Sequence, residues 1–181
     1  ADFIAQSEPS EIEIADGKDI SAVDQAINEL AAFLADQTAA VDVKSWASKR
    51  MRVFFEVEQW VAAVRQYDFV VGNRFHGNMI AIQNDIPAFV VCHDTRTEEM
   101  CRFSGLPHAN IVELDQLSVS DLYDSVNVDT LNARYDQLFP RYVQLLTLNG
   151  LEPTQKMALE SKQPSFVNHG SIERVLDHER R

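Results

Sequence analysis

The chain has 181 residues, 45% hydrophobic and 24% charged, which is enough apolar material for one globular core or slightly more. Six Gly and six Pro exclude collagen-like and low-complexity readings, and no run of about 18 apolar residues marks a transmembrane segment. The net charge of −12 argues against nucleic acid or an anionic lipid surface as a general partner, since both select basic surfaces.

The charge is uneven. Residues 1–43 hold ten acidic side chains, from Asp2 and Glu8 to Asp42, against Lys18 alone, a local charge of −9. Residues 65–102 hold four Arg and five acids, so an anion site is best accommodated in that near-neutral middle. The start, Ala1-Asp2-Phe3-Ile4, lacks an initiator Met and a signal pattern, as expected of a domain cut from a longer protein. Cys92 and Cys101, nine apart, fit neither a redox nor a zinc spacing, and a reduced, cytosolic chain is the simplest reading.

Phe3–Gln6 reads as a short strand, and Glu11–Ile14 alternates like an exposed one. From Ile20, apolar residues at Val23, Ile27, Leu30 and Leu34 have the spacing of an amphipathic helix. Arg52–Phe55 reads as a strand. Val57, Trp60, Val61 and Val64 form a second helical stripe ending near Tyr67. Trp46 and Trp60 are expected in the core or at a domain boundary.

Asp68-Phe-Val-Val-Gly72 is a continuous apolar run, as in a strand buried on both faces. Asn73–Gly77 reads as a loop and Asn78–Gln83 as the start of a helix, broken at Asp85-Ile-Pro87. Ala88–Cys92 is another buried strand. His93–Arg96 leads into a helix with Thr95 and Glu98 spaced as a capping box, ending near Gly105. Strand, helix, strand, helix with short loops is the signature of a parallel sheet, hence an α/β, Rossmann-like, three-layer domain. Further on, Ser118 or Ser120 caps a short helix through Val126. A long stripe from Leu131 to Leu145 follows, kinked or split by Pro140 and stopped at Gly150. The domain is read as 1–150, with 151–181 as a polar tail.

Two strand ends carry chemistry. In parallel α/β sheets ligands bind beyond the carboxyl ends of the strands. Gly72-Asn73-Arg74-Phe75-His76-Gly77-Asn78 lies between a strand and a helix, where free amides and a fixed Arg suit phosphate or carboxylate. Gly72 and Gly77 let backbone approach a ligand closely. His76 can carry a proton at neutral pH, the requirement for a general acid. The second end is His93-Asp94-Thr95-Arg96. For a lone Arg the plainer reading is a surface salt bridge, and for His93 and Asp94 it is a helix N-cap arrangement. No ligand spacing supports a metal at His76, His93 and Asp94. His108, His169 and His178 read as ordinary surface residues.

The segment Asp68–Ile82, followed by Asp85-Ile-Pro87 and a strand leading to Asp94, resembles the polysaccharide pyruvyl transferase family. The resemblance is best over 55–107 and rests on Arg-x-His after an apolar strand. It implies the C-terminal half of a glycosyltransferase-B-like pair of Rossmann-like halves, with the site in the cleft between them. The implied reaction joins the pyruvyl group of phosphoenolpyruvate to two sugar hydroxyls as a ketal, in exopolysaccharide or cell-surface glycan biosynthesis. Phosphoenolpyruvate is then a donor substrate, with no separate cofactor and no metal. By position Arg74 would hold the donor's phosphate or carboxylate, and His76 would protonate its methylene carbon. Gly72, Asn73, Gly77 and Asn78 would line the donor site. Asp94 and Arg96 align with a segment that often reads Asp-x-Lys in the family; Arg keeps the charge but changes the geometry.

The resemblance also implies a saccharide acceptor and a missing N-terminal half of the same protein. The isolated chain would then lack part of the pocket. The implied location is cytoplasmic, with peripheral membrane association through a glycan-assembly pathway as a variant, and an oligomer is compatible with it. Two other readings stay open. One is a glycosyltransferase or sugar-epimerase half that holds a nucleotide-sugar pyrophosphate in the same loop. The other is a non-catalytic sugar- or partner-binding domain.

Overall fold

The computed structural model describes residues 2–6, 43–114 and 117–152. The alternating segment 11–14, the helical stripe from residue 20, most of the acidic N-terminal segment and the polar stretch from 153 on lie outside the described residues. By its internal contacts the chain divides into two units, Ala1–Trp60 and Val61–Arg181.

In the first unit, β1 (Phe3–Ile4) pairs in parallel with β2 (Met51–Arg52), in the register Phe3 with Met51 and Ile4 with Arg52. The amide of Ala5 extends the ladder to the Arg52 carbonyl at 3.0 Å. Helix α1 (Val43–Arg50) runs directly into β2 and ends on Lys49 and Arg50, cations that complement the partial negative charge of a helix C-terminus. Arg50 also reaches the Asp2 carboxylate at 3.2 Å. Trp46 lies 6.4 Å from Phe3 between ring centres and keeps 37% of its surface, so it is a surface ring and not a core one. The strand expected at Arg52–Phe55 is shorter and earlier, because β1 offers only two residues to pair. The division between the units falls within α2 (Val57–Val64), right after Trp60, so a boundary tryptophan is found there.

The second unit holds a three-stranded parallel sheet in the order β3 (Val70–Gly72), β4 (Ala88–Cys92), β5 (His108–Asn110). The register pairs Val70 with Ala88 and Gly72 with Val90, then Val90 with His108 and Cys92 with Asn110. Helix α3 (Phe75–Ile82) connects β3 to β4 and packs on both; α4 (Thr95–Ser104) connects β4 to β5 and packs on both. Parallel neighbours need such crossovers, so the fold is α/β as the strand–helix alternation indicates. A 3-10 turn (Ile111–Glu113), α5 (Val119–Asp124) and α6 (Asp129–Leu148) follow.

The central strand supplies the core. Ala88, Val90 and Cys92 are fully buried, joined by Ala81 and Ile82 of α3, Cys101 of α4, and Leu106, Tyr123 and Leu131. Each large apolar side chain removed from water here contributes about 1.5–3 kcal/mol. The Tyr123 ring meets the Phe69 ring edge-on at 5.4 Å. Strand β3 departs from the expectation of burial on both faces: Val71 keeps 39% exposure, so the face of the sheet onto which it projects is partly open at this edge strand.

Three further expectations change. The loop expected over Asn73–Gly77 is only Asn73–Arg74, and α3 starts at Phe75 with Gly77 buried in its first turn. Glycine lowers helix propensity, but docking of Gly77, Ala81 and Ile82 onto the sheet outweighs it. Helix α6 passes through Pro140 without a break. Asp136, whose carbonyl loses its partner, and Pro140 are both exposed, so water can take that carbonyl. His108 begins β5, half-buried, with Nδ1 2.7 Å from the Leu106 carbonyl, and so is not an ordinary surface residue. Ser118 caps α5 as expected, in a reciprocal box with Asp121, whose carboxyl is held below its usual range by hydrogen bonds from Ser118.

Candidate functional site

Strands β3 and β4 run side by side in the same direction, so both corners that follow them open at the carboxyl edge of one sheet. At the first, β3 ends on Gly72, Asn73 is exposed, and Arg74 is the N-cap residue of α3 in an extended conformation, φ −97°, ψ 118°. Its side chain does not cap the helix. Among the described residues the exposed Arg74 guanidinium makes no ion pair. His76 is the second residue of α3, exposed, with its ring edge-on to Phe75 at 6.1 Å. A cation, an imidazole and a helix start that the Arg74 side chain leaves uncapped therefore share one corner, groups whose chemistry suits an anionic oxygen.

The rest of this segment is interior. Gly77 and Asn78 are buried, Asn78 to 1% exposure. The Asn78 Nδ2 donates to the Gly72 carbonyl at 3.0 Å and to the Arg74 carbonyl at 2.8 Å. A Cβ on Gly72 would meet Nδ2 at 4.0 Å, an ordinary contact, so crowding within the chain does not demand glycine there.

The second corner is built differently. Asp94 is the N-cap residue of α4, and its carboxylate accepts from the Thr97 amide at 2.6 Å. Those hydrogen bonds from Thr97 hold the Asp94 carboxyl below its usual range, and His93, whose Nε2 is 3.4 Å from Oδ2, adds to the effect. The box expected between Thr95 and Glu98 does not form, because the Asp94 carboxylate is the better acceptor one residue earlier; Glu98 pairs with Arg102 one turn on. Arg96 is exposed on the first turn of α4. Among the described residues no hydrogen bond or ion pair joins Arg74 or His76 to Asp94 or Arg96, so the fold brings the two pairs to one sheet edge without direct contact.

Two features escaped sequence reasoning. Cys92 and Cys101 are free, buried and 3.9 Å apart between sulfurs, one at the end of β4 and the other on α4. Burial pushes both thiols up, Cys101 to about 12. An open groove of about 580 Å³, lined by Phe89, Leu106, Pro107, His108, Leu117 and Leu122 among others, lies by the amino ends of β4 and β5, away from both corners. Nothing in the spacing of either feature announces it. Among the described residues no three His, Cys, Asp or Glu side chains converge as metal ligands, and no helix is long and apolar enough to cross a membrane.

Against known proteins, no curated protein and no solved structure gives a significant match. A family description does match: polysaccharide pyruvyl transferase, over residues 8–95, which takes in the Arg74–His76 corner and Asp94 and stops just short of Arg96. Residues 8–95 thus carry the sequence pattern of the polysaccharide pyruvyl transferase family, the family that the Arg-x-His segment resembles.

Proposed function

We propose that this chain forms part of a transferase that moves the pyruvyl group of phosphoenolpyruvate onto two hydroxyls of a saccharide as a ketal, in exopolysaccharide or cell-surface glycan biosynthesis. The observation that carries the proposal is the β3–α3 corner inside the family match: an exposed His76 beside an Arg74 that makes no ion pair among the described residues and whose side chain leaves the helix start uncapped. Arg74 and the first amides of α3 hold the donor's anionic groups. His76 protonates the methylene carbon of the enol, which turns the adjacent carbon electrophilic. One sugar hydroxyl adds there and phosphate departs; the second hydroxyl closes the ketal. Of the two hydroxyl protons released, one replaces the proton given by His76 and the other leaves with the phosphate. One donor and two hydroxyls thus give one ketal and one phosphate. Asp94 is committed to capping α4, so the nearby contribution falls to the exposed Arg96, which adds positive charge at the same sheet edge.

The test is a thermal-shift and calorimetric titration of this chain with millimolar phosphoenolpyruvate, inorganic phosphate and a nucleotide sugar. Phosphoenolpyruvate is expected to raise the melting temperature of the wild type and to raise that of Arg74→Ala far less. Protection by the nucleotide sugar alone would favour a glycosyltransferase or epimerase half. In any longer protein that contains this chain and makes the ketal, full turnover by His76→Ala would remove His76 from the acid role.

A further inference from the structure

We propose that Asn78 is a positioning residue, which fixes the backbone from which Arg74 projects and touches no substrate; this rests on the reading of Arg74 as the anion-holding residue. The carboxamide is 1% exposed, so a ligand at the corner surface does not reach it. Both Nδ2 hydrogens are used, one on the Gly72 carbonyl at 3.0 Å and one on the Arg74 carbonyl at 2.8 Å. Among the described residues Oδ1 has no hydrogen-bond partner. The opposite amide orientation would set Oδ1 against two carbonyl oxygens, so the network itself determines which end faces the corner.

The arrangement joins the last residue of β3 to the residue that starts α3 through a side chain one turn into the helix. The backbone bond that spans the same turn, from the Asn78 amide to the Arg74 carbonyl, is long at 3.4 Å. The side chain therefore supplies the tighter hold. A buried acceptor left bare is costly, and a residue chosen for packing alone would not carry one. What the position requires is a forked donor of this length. A two-residue connection held at both ends leaves Arg74 a narrow range of backbone directions, and preorganised charge binds an anion better than charge that must first be ordered.

The experiment is a double-mutant cycle on phosphate and phosphoenolpyruvate affinity, with Asn78→Ser, Arg74→Ala and the double variant, together with amide order parameters for Asn73 and Arg74 by NMR. Asn78→Ser offers a single hydroxyl hydrogen, which can serve the Arg74 carbonyl or the Gly72 carbonyl but not both. It is expected to weaken anion binding about tenfold, the loss of one hydrogen bond of the fork, and to lower the order of both amides. The double variant should bind no worse than Arg74→Ala, because Asn78 acts through Arg74. Additive losses would overturn the proposal and make Asn78 an independent contact. So would unchanged order at Asn73 and Arg74. Should Asn78→Ser not fold, slow exchange of the Asn78 carboxamide protons in the wild type reads the same two bonds, and fast exchange counts against them. Absence of any anion binding by the wild type removes the anion-site reading, while the order parameters still decide whether Asn78 holds the corner.

Discussion

The two corners at the carboxyl edge of the sheet differ in what starts the helix. After β4 a carboxylate, Asp94, accepts the Thr97 amide and closes the first turn of α4 from within the chain. After β3 the equivalent place is taken by Arg74, a donor that cannot accept those amides, and its side chain leaves the start of α3 uncapped. Opposite choices at equivalent positions of one strand–helix repeat separate two jobs. The β4–α4 corner satisfies itself. The β3–α3 corner keeps its donors and its positive charge available, and its order comes from behind, through Asn78.

The contrast can be broken from the far end of α4. Gly105 terminates that helix at φ 80°, and a Cβ there would sit 2.8 Å from the Thr130 backbone at the start of α6. Gly105→Ala is expected to cost about 2–4 kcal/mol, the sum of left-handed strain and overpacking, measured by urea denaturation. A smaller effect, with a pH signature, belongs to Asp94→Ala. The carboxyl's folded pKa lies below its ordinary 3.8, so its stabilisation is fully present above that value and is lost as pH falls through the lower folded one. The melting temperature of Asp94→Ala should trail the wild type at pH 7 and converge with it in acid; a gap that persists at pH 2 would refute capping by the charged form.

Asp85 gives a gain. It follows α3 at φ 60°, a conformation glycine adopts freely, so Asp85→Gly should stabilise by about 0.5–1 kcal/mol in the same denaturation assay. Smallest in stability is Arg74→Ala, within about 0.5 kcal/mol of the wild type, since the side chain is exposed and unpaired among the described residues. Its whole effect should appear in anion binding. A marked loss of stability in Arg74→Ala would mean that the residue serves the fold.

Much of this was legible in the sequence wherever pattern and packing agree. Strand β4 reads as buried because Ala88, Phe89, Val90 and Cys92 face core on either side, and Gly105 reads as a helix stop because its backbone demands it. Arg74 and His76 could be placed at a strand end from the apolar run and the two glycines alone. The start of α3 could not, because Gly77 argues locally for a loop and only contact with the sheet reverses that. Strand β5 escaped for a similar reason: His108-Ala-Asn110 has no strand pattern of its own and is paired only because Val90 and Cys92 stand beside it. The role of Asn78 was equally hidden, since nothing in its type separates a ligand contact from an internal brace. Burial makes that distinction, and burial is a property of the fold.

The paired thiols give the molecule a gauge of its own motion. Its only two cysteines face each other across the β4–α4 contact, with sulfurs 3.9 Å apart and both out of solvent's reach. Thiolates are the reactive form, and burial holds both thiols protonated at neutral pH. An alkylating reagent can therefore mark them only in moments when α4 lifts from the strand. The labelling rate tracks the population of that open form, and a ligand seated at the neighbouring edge of the sheet will slow it to the extent that it holds the two elements together.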